Sequence, residues 1–323
     1  MSKLGKLKFF SHLKWWLGAA LVTIFICWFA QQVILKPVLE AVATKAIGAR
    51  VTLGSFSLNI LTHRIRITDL QIYNEPGFPP KEFLNAPEIL VDIDLFNALR
   101  GKLHFPLIVF RLNKMVVFKD PQGKLNINEL KIVKEKAHEK TKGPTPNFSI
   151  DELKLNIGQV VVEDDSTTPA LIEAYDLNLK DATFHNINGV PKLVGLVMFE
   201  ALKPTAMQSA GLYAATTLLG IGFLPGLAIG VAIASDDAIA EINHSFGQVF
   251  TQSVQLFQHL GQIKRTDDRA GQIFAKVYNC DISVTIQDEG WGHSRIIIKA
   301  RKYFLARPEI AGGLLYQLKE ELK

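Results

Sequence analysis

Side chains able to do chemistry are scattered along this chain, and no spacing gathers them into a recognisable site. Three Asp-Asp pairs occur, at Asp164-Asp165, Asp236-Asp237 and Asp267-Asp268. Neighbours on a strand point to opposite faces, and these pairs fall at expected turns or helix caps, which argues against an acid–base dyad. The eight histidines are dispersed, with neither a His-x-x-x-His nor a His-Glu-x-x-His spacing. Cys27 lies in an apolar run and Cys280 is far from it, so a disulfide between them is not expected; Cys280 reads as a small buried hydrophobe. Gly220-Ile221-Gly222 lacks the third glycine of a dinucleotide loop and has no strand before it, and no Walker-type loop or Gly-x-Ser-x-Gly elbow is present. The chain is therefore expected to be non-enzymatic, with no cofactor and no metal. A catalytic site assembled only by the fold, in an envelope hydrolase, is the distant alternative.

What recurs instead is apolar surface. Of the 323 residues, 48% are hydrophobic, and the net charge is only +5. Much of the basic surplus lies at the extreme N-terminus and near residues 131–142, so no nucleic-acid-binding face is expected. Lys3, Lys6, Lys8 and Lys14 form a basic tail over 1–14, and Trp15 to Leu35 carries no ionisable side chain except Cys27. At ~1.5 Å per residue such a run matches the ~30 Å hydrocarbon core, so a transmembrane anchor is expected over 15–36. The lysines would hold its N-terminus in the cytoplasm and export the bulk. A cleaved signal peptide fits less well, because Trp28-Phe29-Ala30 puts tryptophan where a small residue is needed.

Beyond a short helix near 37–48 the apolar period becomes two, the mark of strands with one buried face. It runs through Val51/Leu53, Phe56/Leu58/Ile60, Ile65/Ile67, Ile89/Val91/Ile93/Leu95, Ile108/Phe110/Leu112 and Met115/Val117. Turns are expected at Asn74-Glu75-Pro76-Gly77, Pro79-Pro80 and Asp120-Pro121-Gln122-Gly123. Residues 105–120 and 148–164 resemble one another, which suggests a second β-rich repeat over 148–203 after a lysine- and proline-rich linker at 131–147. Leu177/Leu179 and Leu193/Gly195/Val197 extend the expected strands to about residue 200.

Residues 37–130 resemble the N-terminal region of AsmA-like bacterial envelope proteins. The likeness is carried by RVTLGSFSLNI at 50–60, by ITDLQIYNEPGFP at 67–79 with Asn74, Gly77 and Phe78, and by APEILVDIDLFNALRGKLHF at 86–105. It closes with the turn of Asp120, Gly123 and Asn126. The resemblance implies a curved antiparallel sheet with an open apolar groove, phospholipids as partners, and a place in the inner membrane with the bulk in the periplasm. On that reading Ile89, Val91, Ile93, Ile108, Phe110 and Leu112 face lipid. This chain is much shorter than typical members of that family.

Residues 204–235 form a second uncharged stretch in which Gly222, Gly226, Gly230 and Ala234 recur every four residues, a small-residue face that lets helices pack closely. A helical hairpin, a full membrane crossing and a buried helix pair all fit it; acids beyond it at Asp236, Asp237 and Glu241 disfavour the crossing. Residues 236–323 then read as an α-β-β-β-α domain. A helix is expected over 236–263, capped by Ser235-Asp236-Asp237 and ended by Gly261, with strands at 271–278, 281–287 and 294–301 and a last helix from Pro308. This region is similar to a small domain of unknown function from bacterial envelope lipoproteins. The expected fold class is thus membrane-anchored α+β, and the expected function is to bind or conduct lipid along an apolar sheet face in envelope biogenesis. A periplasmic scaffold binding other envelope proteins is the alternative.

Overall fold

The computed structural model describes residues 31–131, 133–134, 148–202, 237–303 and 305–323. After a π-helical turn at Gln31–Leu35, helix α1 covers Lys36–Ile47. The first sheet has seven described strands: β1 (Val51–Thr52), β2 (Ser55–Asn59), β3 (Arg64–Tyr73), β4 (Glu82–Asp92), β5 (Leu103–Lys119), β6 (Phe148–Asp164) and β7 (Leu171–Asn188). Its order is β1-β3-β4-β5-β6-β7, with β2 also paired to β3. Two short helices interrupt it, α2 (Leu95–Leu99) between β4 and β5 and α3 (Asn126–Glu129) after β5; helix α4 (Val190–Leu202) follows β7.

The sheet is mixed. Strands β5 and β6 run parallel, from Leu103 opposite Phe148 to Lys119 opposite Asp164, and the other pairs are antiparallel. The similar stretches 105–120 and 148–164 are thus adjacent parallel strands of one sheet. The wholly antiparallel sheet implied by the family resemblance is corrected on this point.

One face of the sheet is apolar and carries helices α1 and α4; on β3 and β4 the other face bears cross-strand ion pairs, Arg64 with Asp92 at 2.6 Å and Arg66 with Glu88 at 3.0 Å. The apolar positions change parity along each strand: Ile65/Ile67 to Leu70/Ile72, Leu84/Ala86 to Ile89/Val91, Leu112 to Met115, and Ile157 to Val160. Local departures from the pleat accompany the switch. Asp69 and Asn178 take φ of 49° and 47°, and the β6–β7 register shifts between Leu155 and Gln159. Because neighbouring strands switch together, both halves of every strand feed the same core, as aligned bulges allow.

That core is closed by the chain's own segments. Leu39, Ala43 and Ile47 of α1, Leu125, Ile127, Leu130 and Val133 after β5, and Leu193, Val197 and Ala201 of α4 all pack into it. The alternation Leu193/Gly195/Val197 belongs to helix α4, so the strand expected there is corrected. Leu193, Val197 and Ala201 recur every fourth residue, which suits one helical face.

The C-terminal part has a second sheet of six described strands: β8 (Asp237–Ile242), β9 (Gly261–Asp267), β10 (Gln272–Val277), β11 (Cys280–Gly290), β12 (His293–Lys302) and β13 (Leu305–Ala306). Helices α5 (Phe246–Leu260) and α6 (Pro308–Glu321) cover one face of it. The helix expected from 236 begins only at 246. Asp237 opens strand β8, which pairs with β12, and its carboxylate lies 2.9 Å from Lys299 Nζ. The true N-cap is Ser245, which makes a capping box with Gln248. Gly261 does end the helix, but it also opens the charged edge strand β9, which the α-β-β-β-α reading omitted. Lys264 and Arg265 on that edge oppose unwanted strand pairing.

Among the described residues no helix is long and apolar enough to cross a membrane. The membrane-anchored, single-pass part of the fold class is corrected accordingly: the chain is α+β and mostly sheet. Of the expected anchor at 15–36, residues 31–35 form the π-helical turn and Lys36 opens α1, while 15–30 lie outside the described residues. The basic tail at 1–14, most of the linker at 131–147, and the apolar stretch at 204–235 with Gly222, Gly226, Gly230 and Ala234 also lie outside them.

Candidate functional site

Five of the six lipid-facing candidates, Ile89, Val91, Ile108, Phe110 and Leu112, lie together on the apolar face, and Ile93 follows β4, its N–H bonded to the His63 carbonyl. Ile89 is paired with Phe110 and Val91 with Ile108, and across the parallel pair Ile108, Phe110 and Leu112 face Leu153, Leu155 and Ile157. Their exposure divides them. Ile89, Ile108 and Leu112 are buried in the core and present little surface. Val91, Ile93 and Phe110 remain half-buried.

Alternation in single strands did not reveal the half-buried aromatics that join them. Phe105, Phe148 and Phe184 pack against the core from its open side, and Phe105 meets Phe148 edge-to-face with centroids 5.8 Å apart. All lie toward the sheet end where the 60–63 hairpin, α2 and the start of β6 meet. Phe96, Leu99 and Leu103 are exposed at that end. An open depression of about 870 Å³ lies there, lined by Asn97, Lys102, Leu103, His104, Phe148 and Ser149 among others. The depression is mostly polar, with Leu103 and Phe148 as its apolar lining.

His104 and Ser149 share this depression and sit opposite one another in the parallel register. That invites a hydrolytic reading, which the hydrogen bonding opposes. His104 Nε2 lies 2.9 Å from Asp151 Oδ2, and Nδ1 lies 3.5 Å from Asp94 Oδ2, so carboxylates engage both ring nitrogens. A serine base needs one of them free. Asp151, then Asp94, raise the His104 pKa above its ordinary value of about 6.5. The pair contributes stability that is full below the unfolded value and lost as pH rises through the folded one. NMR titration is expected to show His104 above 6.5, and Asp151→Asn is expected to bring it down.

A second polar cluster lies where the C-terminal part meets the first sheet. Helix α6 packs on the back of β7, where Val116, Val161 and Ala174 form a small core with Ile172 and Tyr316. Beside it, buried Glu163 accepts from Lys81 Nζ at 3.0 Å, and buried Glu173 accepts from the Tyr175 hydroxyl at 3.0 Å. Burial raises the Glu173 pKa, partly countered by Tyr175. The native state then holds this proton more tightly than the unfolded chain, so stability falls as pH rises, and the full penalty stands above the folded pKa. Glu173→Gln is expected to raise the urea midpoint above neutrality, with the gain vanishing toward the unfolded glutamate value of about 4.3.

Cys280 is buried, its thiol directed to the Tyr278 carbonyl at 3.7 Å, and burial raises its pKa. The described parts define an α+β protein of two sheets, with an open depression at one end of the first. No protein-family model matches the chain, and no curated protein matches it. The AsmA-like likeness therefore rests on the sequence motifs alone.

Proposed function

We propose that this chain handles lipid in the bacterial cell envelope by holding phospholipid acyl chains along the tip half of the apolar face, with no enzymatic step. The observation that carries this reading is the set of half-buried Val91, Phe110, Phe105, Phe148 and Phe184 packed against the core, with half-buried Ile93 just after β4. Each methylene moved from water onto such a set contributes about 0.8 kcal/mol, so part of one acyl chain supplies useful affinity. The AsmA-like motifs at 50–126 point the same way.

The test is native mass spectrometry of the full chain purified in a phospholipid-free detergent. Near-stoichiometric phospholipid, reduced by Phe110→Glu in a variant that unfolds at the same denaturant concentration, is the expected result. A folded chain carrying no phospholipid would put the scaffold reading in front. That second reading draws on the closure of Ile89, Ile108 and Leu112 beneath the chain's own helices.

A further inference from the structure

The tip of the first sheet gathers exposed apolar side chains from separate segments. Ile60 and Leu61 come from the β2–β3 hairpin, with Leu61 93% exposed; Phe96 and Leu99 come from α2, with Leu99 88% exposed; Leu103 opens β5. These segments are neighbours. Ile93 N–H donates to the His63 carbonyl at 2.9 Å, and Arg64 is paired with Asp92. Scattered exposed leucines need no explanation, but a contiguous set at one end does.

We infer that this tip seats on a bilayer surface bearing anionic headgroups. Two further observations select that occupant. Two cations lie beside the apolar tip: the Arg100 guanidinium is 3.9 Å over the Phe96 ring, and Lys102 lines the adjoining depression. Arg64 already satisfies Asp92, and His104 lies between Asp94 and Asp151, so Arg100 and Lys102 remain to meet phosphate. Side chains with an apolar body and a charged end suit the headgroup boundary, and each such cation is attracted to an anionic leaflet. The turn at Gln31–Leu35, with exposed Val33 and Ile34, also lies against β2. Docking of the tip does not depend on the lane holding lipid, since a surface can be bound without extracting a molecule from it.

The test uses the full chain with Cys27→Ser and Cys280→Ala, carrying an environment-sensitive dye at Leu61→Cys, Leu99→Cys or, as control, Gln122→Cys in the exposed turn after β5. Phosphatidylcholine vesicles with phosphatidylglycerol are expected to shift the dye to the blue at 61 and 99, with quenching by brominated lipid, and to leave 122 unchanged. Arg100→Glu with Lys102→Glu is expected to weaken that response at least tenfold, about 1.4 kcal/mol, with unchanged circular dichroism. A water-like signal at 61 and 99 while the chain floats with the vesicles would overturn the inference. So would a signal already apolar before vesicles are added, which would assign the tip to another part of this chain or to a second copy. An equal response at 122 would also overturn it.

Discussion

Gly313→Val is expected to destabilise the protein by roughly 3 kcal/mol or more, the upper end for forcing volume into a packed contact. The reason lies in how closely α6 approaches β7. A Cβ on Gly313 would overlap the Ile172 carbonyl oxygen, and one on Gly312 would lie 2.8 Å from the Ala174 oxygen. Both obstacles are strand backbone, which cannot swing aside as a flexible side chain could. Tyr278 reinforces the same junction by donating its hydroxyl to the Ala170 carbonyl at 2.5 Å. Chemical denaturation of wild type and variant measures the difference, and separation of one transition into two would show that α6 has left the sheet. An unchanged midpoint would mean that the helix does not seat there.

Leu112→Ala is expected to lower stability by about 3 kcal/mol, within the range for emptying a filled core site. Leu112 is 3% exposed and sits between strands β4 and β6 where the buried row changes parity. Ile93→Ala, in the same expected lane but half-buried, should lose far less, because less area leaves water when that side chain packs. The contrast separates two roles that alternation assigned alike. Equal losses would mean that the lane is as closed at Ile93 as at Leu112.

The strands of the first sheet were legible because one face is buried, and the last helix was legible from Pro308 at its first position. Helix α5 was misplaced at its start for an identifiable reason. Ala238, Ala240 and Ile242 alternate, but Ile239 and Ile242 also fall at helical spacing from Phe246, so the two periods coincide across Asn243-His244-Ser245. Strand pairing with Ile296 and Ile298 decided between them. The parallel pairing of β5 and β6 was invisible, since similarity between two strands says nothing of their relative direction. The site was legible in part. Alternation identified the face holding Ile89, Val91, Ile93, Ile108, Phe110 and Leu112, but not that α1, α4 and the segment after β5 close over half of it. Nor did it show that Phe105 and Phe148, from adjacent strands, meet edge-to-face there, with Phe184 of β7 packed against the same core.

The most direct measurement places a photo-reactive benzophenone side chain at Val91 or Phe110 in the full chain, with Gln122 as control, and identifies the adducts by mass spectrometry after irradiation in cells. Lipid binding along this face predicts phospholipid adducts at 91 and 110 and none at 122. Adducts confined to the protein's own peptides would contradict it, and would make this face part of a closed core.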